Sequence, residues 1–212
     1  MGIAHLLDEM KKLLLTSNGF INPKIGQEFL NLVSKTPADI KVLFIPTASE
    51  TGGDFTSYFN VAKKELTDLG ILKENITWFN ANNPKAVGQL NKYDAVYVCG
   101  GNTFYLLYQL QRTGLYKKLI SFINSGKVYV GVSAGSVLAG PSILISAPFD
   151  SNDIKLEDFT GLGVTSKIIC PHYNEKDENL IVKVEKKNNW KVLRLNDGQA
   201  LEVLGYVSKI IE

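Results

Sequence analysis

The apolar run Lys127-Val128-Tyr129-Val130 breaks into Gly131-Val132-Ser133-Ala134-Gly135 and opens a segment of helical character. A serine on such a sharp strand-to-helix turn has its hydroxyl pushed clear of the sheet, and small neighbours leave room for a substrate. The five-residue pattern alone is weak, since a plain tight turn before a helix reads the same way. Its weight comes from the strand and helix on either side. Ser133 is therefore the candidate nucleophile, and at neutral pH it needs a base to take its proton. The chain offers two histidines, His5 and His172. His5 precedes the first recognisable strand, whereas His172 closes the short apolar run Ile168-Ile169-Cys170-Pro171-His172-Tyr173, so His172 is the candidate base.

A second glycine turn, Gly100-Gly101-Asn102-Thr103, follows the apolar run Ala95 to Cys99 and leads into another helical segment. Adjacent glycines let backbone amides approach a ligand closely, and the helix start adds the positive end of a dipole. The amides of Gly101 and Ala134 are the candidate oxyanion hole, with Gly100 and Asn102 against the substrate. The plainer alternative is that Asn102 simply caps the helix. The full dinucleotide and Walker patterns are absent, which disfavours a phosphate loop. A third group should orient His172. The acids between Ser133 and His172 are Asp150, Asp153, Glu157 and Asp158, and Asp150 stands apart because it follows the turn-like Ser146-Ala147-Pro148-Phe149.

These residues need a scaffold that brings several turns to one edge. Strand-like runs at Lys12 to Thr16, Ile40 to Pro46, Ile76 to Phe79, Ala95 to Cys99 and Val128 to Val132 alternate with helical spacing at Lys24 to Ser34, Thr56 to Leu69 and Thr103 to Gln111. Tyr58, Ala62, Leu66 and Leu69, for example, share one helix face. Strands alternating with helices imply right-handed crossovers and a mainly parallel, doubly wound α/β sheet, whose ligands collect beyond the carboxyl ends of the strands. Trp190 to Leu195, Asn196-Asp197-Gly198 and Ala200 to Ile211 read as a C-terminal β-hairpin at one edge. Residues 10–212 are expected to form one domain, preceded by a short extension over residues 1–9.

Composition narrows the function. With 23 basic and 21 acidic residues, a net charge of +2 gives no electrostatic case for nucleic acid or an anionic membrane. No apolar stretch reaches the roughly 18 to 20 residues of a membrane span, and the N-terminus lacks the apolar core of a signal peptide, so a cytoplasmic location is expected. Cys99 and Cys170 both end apolar runs and read as buried packing residues. Two thiols and two histidines without close spacing make no zinc site; no metal and no cofactor is expected.

Four ordered motifs carry a resemblance: Gly100-Gly101-Asn102-Thr103-Phe104, Gly131 to Gly135 with Pro141, Pro171-His172-Tyr173, and Asp197-Gly198-Gln199-Ala200. Together with the opening Leu13-Leu14-Leu15-Thr16-Ser17-Asn18-Gly19, they resemble the peptidase E family, the α-aspartyl dipeptidases related to cyanophycinase, over about residues 10 to 205. The resemblance implies a class I glutamine-amidotransferase-like fold with serine in place of cysteine at the elbow. Residue by residue, it makes Ser133 the nucleophile and His172 the base. Counting back from Pro171-His172 puts Asp150 at the catalytic acid, with Glu157 as the alternative.

After its histidine the family carries an arginine-containing segment for the aspartyl side chain, where this chain reads Asn174-Glu175-Lys176-Asp177-Glu178-Asn179. The expectation is a serine hydrolase acting on a short peptide or related amide without a clear aspartyl clamp, as a monomer or homodimer. An esterase on the same site and a non-catalytic binding module are the alternatives.

Overall fold

The computed structural model describes residues 11–51, 55–83 and 85–212. The proposed N-terminal extension, with His5, lies outside them. The strands β1 (Lys12–Thr16), β2 (Val42–Ile45), β3 (Ile76–Trp78), β4 (Ala95–Val98) and β5 (Val128–Val132) all run parallel. Among the described residues they join β8 (Ala200–Leu204) and β9 (Val207–Ile211) in a seven-stranded sheet of order β3-β2-β4-β5-β1-β8-β9. β8 lies antiparallel to β1 and pairs with β9 as a hairpin that turns at Gly205. The expected hairpin thus occupies residues 200–211. The preceding apolar run goes elsewhere: β7 (Val192–Arg194) pairs in parallel with β6 (Ile168–Cys170) in a separate two-stranded sheet.

The parallel strands read as near-continuous apolar runs because both of their faces are covered. Leu13 and Leu15 of β1 point to one core with Ile45, Val96, Val98 and Tyr129. Leu14 points to the other with Phe44, Tyr97 and Val130. The first core is closed by helices α3 (Thr103–Thr113), α4 (Leu115–Asn124), α5 (Ala134–Leu138) and α6 (Glu178–Asn188), through residues such as Phe104, Leu119, Val137 and Ile181. The second is closed by α1 (Pro23–Val33) and α2 (Phe55–Asp68), through Ile25, Phe29, Ala62 and Leu66. Sequence spacing dictates these faces: Ile25, Phe29 and Leu32 recur at helical intervals, Pro23 sits at the first turn, and the Asn22 side chain accepts the Lys24 N–H at the cap. The expected helix over 56–69 is α2, one residue displaced at each end.

With this winding, the loops after β1, β2, β4 and β5 all emerge at the carboxyl edge. Asn18, Ala48-Ser49, Gly100-Gly101 and Ser133 border one cavity there.

Candidate active site

Ser133 occupies the junction between β5 and α5 with φ 50° and ψ −109°, a backbone conformation that L-residues adopt reluctantly. The turn is held by close backbone packing. A Cβ on Gly131 would sit 2.5 Å from the Gly135 carbonyl oxygen, and one on Gly135 would sit 2.4 Å from that of Val98. The two glycines of Gly-X-Ser-X-Gly are thus space requirements: the helix start presses onto the strand that launches it and onto its neighbour β4. Ser136 adds a latch, its hydroxyl lying 2.7 Å from both the Thr16 and Gly131 carbonyl oxygens. The Ser133 N–H donates to Thr16 across the sheet at 3.0 Å.

His172, just past the end of β6, brings its Nε2 to 2.9 Å from Ser133 Oγ. Its own backbone is in the left-handed region, at φ 52°. The His172 N–H donates to the buried Ser17 hydroxyl at 2.7 Å. The hydroxyl in turn lies 3.2 Å from the Leu195 carbonyl and 3.3 Å from Asp197 Oδ1. On its far side the imidazole Nδ1 is 2.6 Å from Asp197 Oδ1. If Nδ1 carries the proton donated to Asp197, Nε2 has its lone pair free for the Ser133 hydroxyl. An unbroken hydrogen-bonded chain of acid, imidazole and hydroxyl is the arrangement that activates a serine.

Asp150 does not stand where the chain count puts it. Its Oδ2 accepts the Thr103 N–H at 2.9 Å, at the start of α3, and Asp197 holds the position beside His172. The reason is topological. Parallel pairing of β6 with β7 brings the residues just beyond both strands side by side, so the partner of His172 comes from downstream, not from between Ser133 and His172. Glu157 is exposed and borders no cavity at the site. Asn102 borders the cleft, but both ends of its side chain are taken: Oδ1 accepts the Tyr105 N–H as a helix cap, and Nδ2 donates to the Ser151 carbonyl. The plainer reading of Asn102 is the one its contacts match. Ser17 and Asp197 are the two residues of this cluster not singled out above for a role. Both lay in view, Ser17 at a strand end and Asp197 at the head of the fourth motif.

Gly101 needs a backbone that other residues avoid, at φ 129°, and a Cβ there would overlap Ala48. It and Ala134 border a narrow cavity of about 170 Å³ beside Ser133, floored by Val137, Ile145 and Cys170. A wider cavity of about 570 Å³ opens on the other side, past Gly100, Tyr97 and Glu65. The two meet at Ser133, His172, Asp150 and Gly101. Both cysteines border them, and neither suits a nucleophile: burial pushes the Cys170 thiol up to about 11 and the Cys99 thiol well above its usual range. Burial also raises Glu65, whose carboxylate accepts the Tyr97 hydroxyl at 2.8 Å.

Residues 13–211 match the model of peptidase family S51. An uncharacterised peptidase of Listeria monocytogenes is 39% identical over 168 residues, covering 78% of this chain and 79% of the relative. A peptidase E of Streptomyces coelicolor is 32% identical over 179 residues, covering 80% of this chain and 70% of the relative. Among solved structures, a candidate peptidase E from Listeria monocytogenes EGD-e superposes with a TM-score of 0.80 at 29% identity, over 95% of this chain and 98% of that one.

Proposed function

Because the chain belongs to peptidase family S51, we propose that it is a serine peptidase of the peptidase E kind, with Ser133, His172 and Asp197 as its triad and a short peptide or related amide as substrate. The observation that carries this reading is the continuous chain from Asp197 Oδ1 through the imidazole to Ser133 Oγ, at 2.6 and 2.9 Å. Ser133 Oγ attacks the scissile carbonyl while His172 Nε2 takes its proton. The carbonyl oxygen becomes an oxyanion and is received by the Gly101 and Ala134 amides. Collapse of the tetrahedral species breaks the C–N bond, and His172 returns the proton to the departing amine. Water, deprotonated by His172, then hydrolyses the acyl-enzyme and restores the Ser133 hydroxyl. Asp197 stays ionised throughout, holding the imidazole orientation and stabilising its charged form.

The test is labelling by a fluorophosphonate, followed by identification of the modified residue and a dipeptide screen against the Ser133→Ala control. Modification at Ser133 with turnover lost in the control supports the reading. Labelling elsewhere, or turnover retained above about a tenth in Ser133→Ala, overturns it, since loss of a nucleophile costs about 10³-fold or more.

A further inference from the structure

The narrow cavity beside Ser133 is a site because the nucleophile and its imidazole open into it, and its lining has a definite charge. Val137, Ile145 and Cys170 form an apolar floor, Phe149 and Tyr173 flank it, and Asp150 and Asp177 are its charged members beside His172. The Asp177 carboxylate has no hydrogen-bond or ion-pair partner among the described residues. Neither this cavity nor the wider one is lined by a lysine or arginine among those residues, while the wider one adds the carboxylates of Glu65 and Asp197.

Nor can the chain's two arginines be borrowed. Arg194 grips Glu178 with Nε and Nη2 at 2.8 and 2.9 Å and Glu185 with Nη1 and Nη2 at 3.1 and 3.0 Å. Arg112 is tied to Gln109 and the Ala81 carbonyl. Lys176 is exposed and lines neither cavity. An acidic side chain entering this cavity would lose water and meet two carboxylates with no lysine or arginine to offset them, which is unfavourable on both counts.

Building on the hydrolase reading above, we infer that the narrow cavity seats a cationic side chain, so that the preferred substrates carry lysine or arginine as the acyl residue. A long aliphatic stem fits the apolar floor while its charged head reaches the carboxylates, the division of labour such side chains favour. The acyl residue is the one seated here because both amides assigned to the carbonyl oxygen border this cavity, whereas Ala134 does not border the wider one.

The test uses Lys-Ala, Met-Ala and Asp-Ala, which share a leaving residue; methionine is unbranched and of comparable reach but uncharged. kcat/KM is measured for the wild type and Asp177→Asn, and affinity for each dipeptide is measured by calorimetry on Ser133→Ala. Asparagine suits the helix-start position of Asp177 equally well, so the fold is preserved. The expected result is Lys-Ala favoured over Met-Ala by about tenfold, Asp-Ala poorest, and the lysine advantage cut to threefold or less in Asp177→Asn. Equal handling of Lys-Ala and Met-Ala, preference for Asp-Ala, or a lysine advantage untouched by Asp177→Asn overturns the inference. Lysine-selective binding to Ser133→Ala without any turnover by the wild type would uphold the cavity's preference for a cationic side chain and sink the hydrolase reading together with the acyl-residue assignment. Turnover without selectivity would do the reverse, and no binding or turnover of any dipeptide would overturn both.

Discussion

Replacing Asp197 with asparagine removes one charge from the chain that runs to Ser133 and leaves its shape nearly unchanged. In a buried triad the equivalent change costs about 10⁴ in turnover, because the wrong imidazole tautomer is stabilised. Here water reaches the pair: the Asp197 and His172 side chains are 55% and 48% exposed. Solvent can therefore replace part of what the carboxylate provides. The loss should approach the value of one charge-assisted hydrogen bond, about 1.5–3 kcal/mol. At about 1.4 kcal/mol per decade, that is roughly 10- to 150-fold in rate. The second-order rate of fluorophosphonate labelling at Ser133 reads this directly and needs no knowledge of the natural substrate. Asp197→Asn should slow it by about two orders of magnitude or slightly less, with thermal unfolding unchanged. Labelling within about threefold of wild type would refute the assignment of Asp197, since that corresponds to well under 1 kcal/mol.

Other positions give independent tests. Ser17→Ala strands the His172 N–H that its hydroxyl accepts. An unsatisfied donor costs about 1–3 kcal/mol, so labelling should slow by about tenfold and kcat should suffer more than KM; an unchanged rate would show that the imidazole is held by other contacts. Asp150→Ala deprives the Thr103 N–H of its acceptor, and the ~1 kcal/mol typical of a helix cap should lower Tm by about 2–4 °C in calorimetry. Glu65 has its carboxyl raised by burial, so the folded state binds its proton more tightly than the unfolded state does. The associated stability is present at low pH and is lost as pH rises through the folded value. Glu65→Gln should accordingly raise Tm at pH 8 and make no difference near pH 4. A gain that is larger at pH 4 would reverse the argument.

Much of the fold was legible because its signals are local. The five parallel strands are apolar runs, the helices have clear faces, and the elbow is a single strand-turn-helix unit whose glycines are required by the contacts of Gly131 and Gly135. His172 was legible by scarcity. Asp197 was not, since an acid 25 residues beyond the histidine reaches it only through the pairing of β6 with β7, and pairing is a long-range choice that spacing does not encode. The same limit hid the fate of the run before β8, read as part of a hairpin yet paired in a different sheet. Asn102 shows the converse problem: one residue type serves a cap and a substrate equally well, and only its two hydrogen bonds separate them.

The small parallel sheet has a mechanical consequence. His172 lies two residues past β6 and Asp197 three past β7, so the base hangs from the small sheet, the nucleophile from β5 of the large one, and the acid from the loop that joins the two. The reach from the imidazole to Ser133 Oγ therefore depends on how the two sheets pack, and their side chains share one core. The Ser17 hydroxyl, at the tip of β1 in the large sheet and bonded to the His172 backbone, is a stitch between the two sheets. The distance between base and attacking oxygen is thus set by packing between two sheets and not by pairing within one.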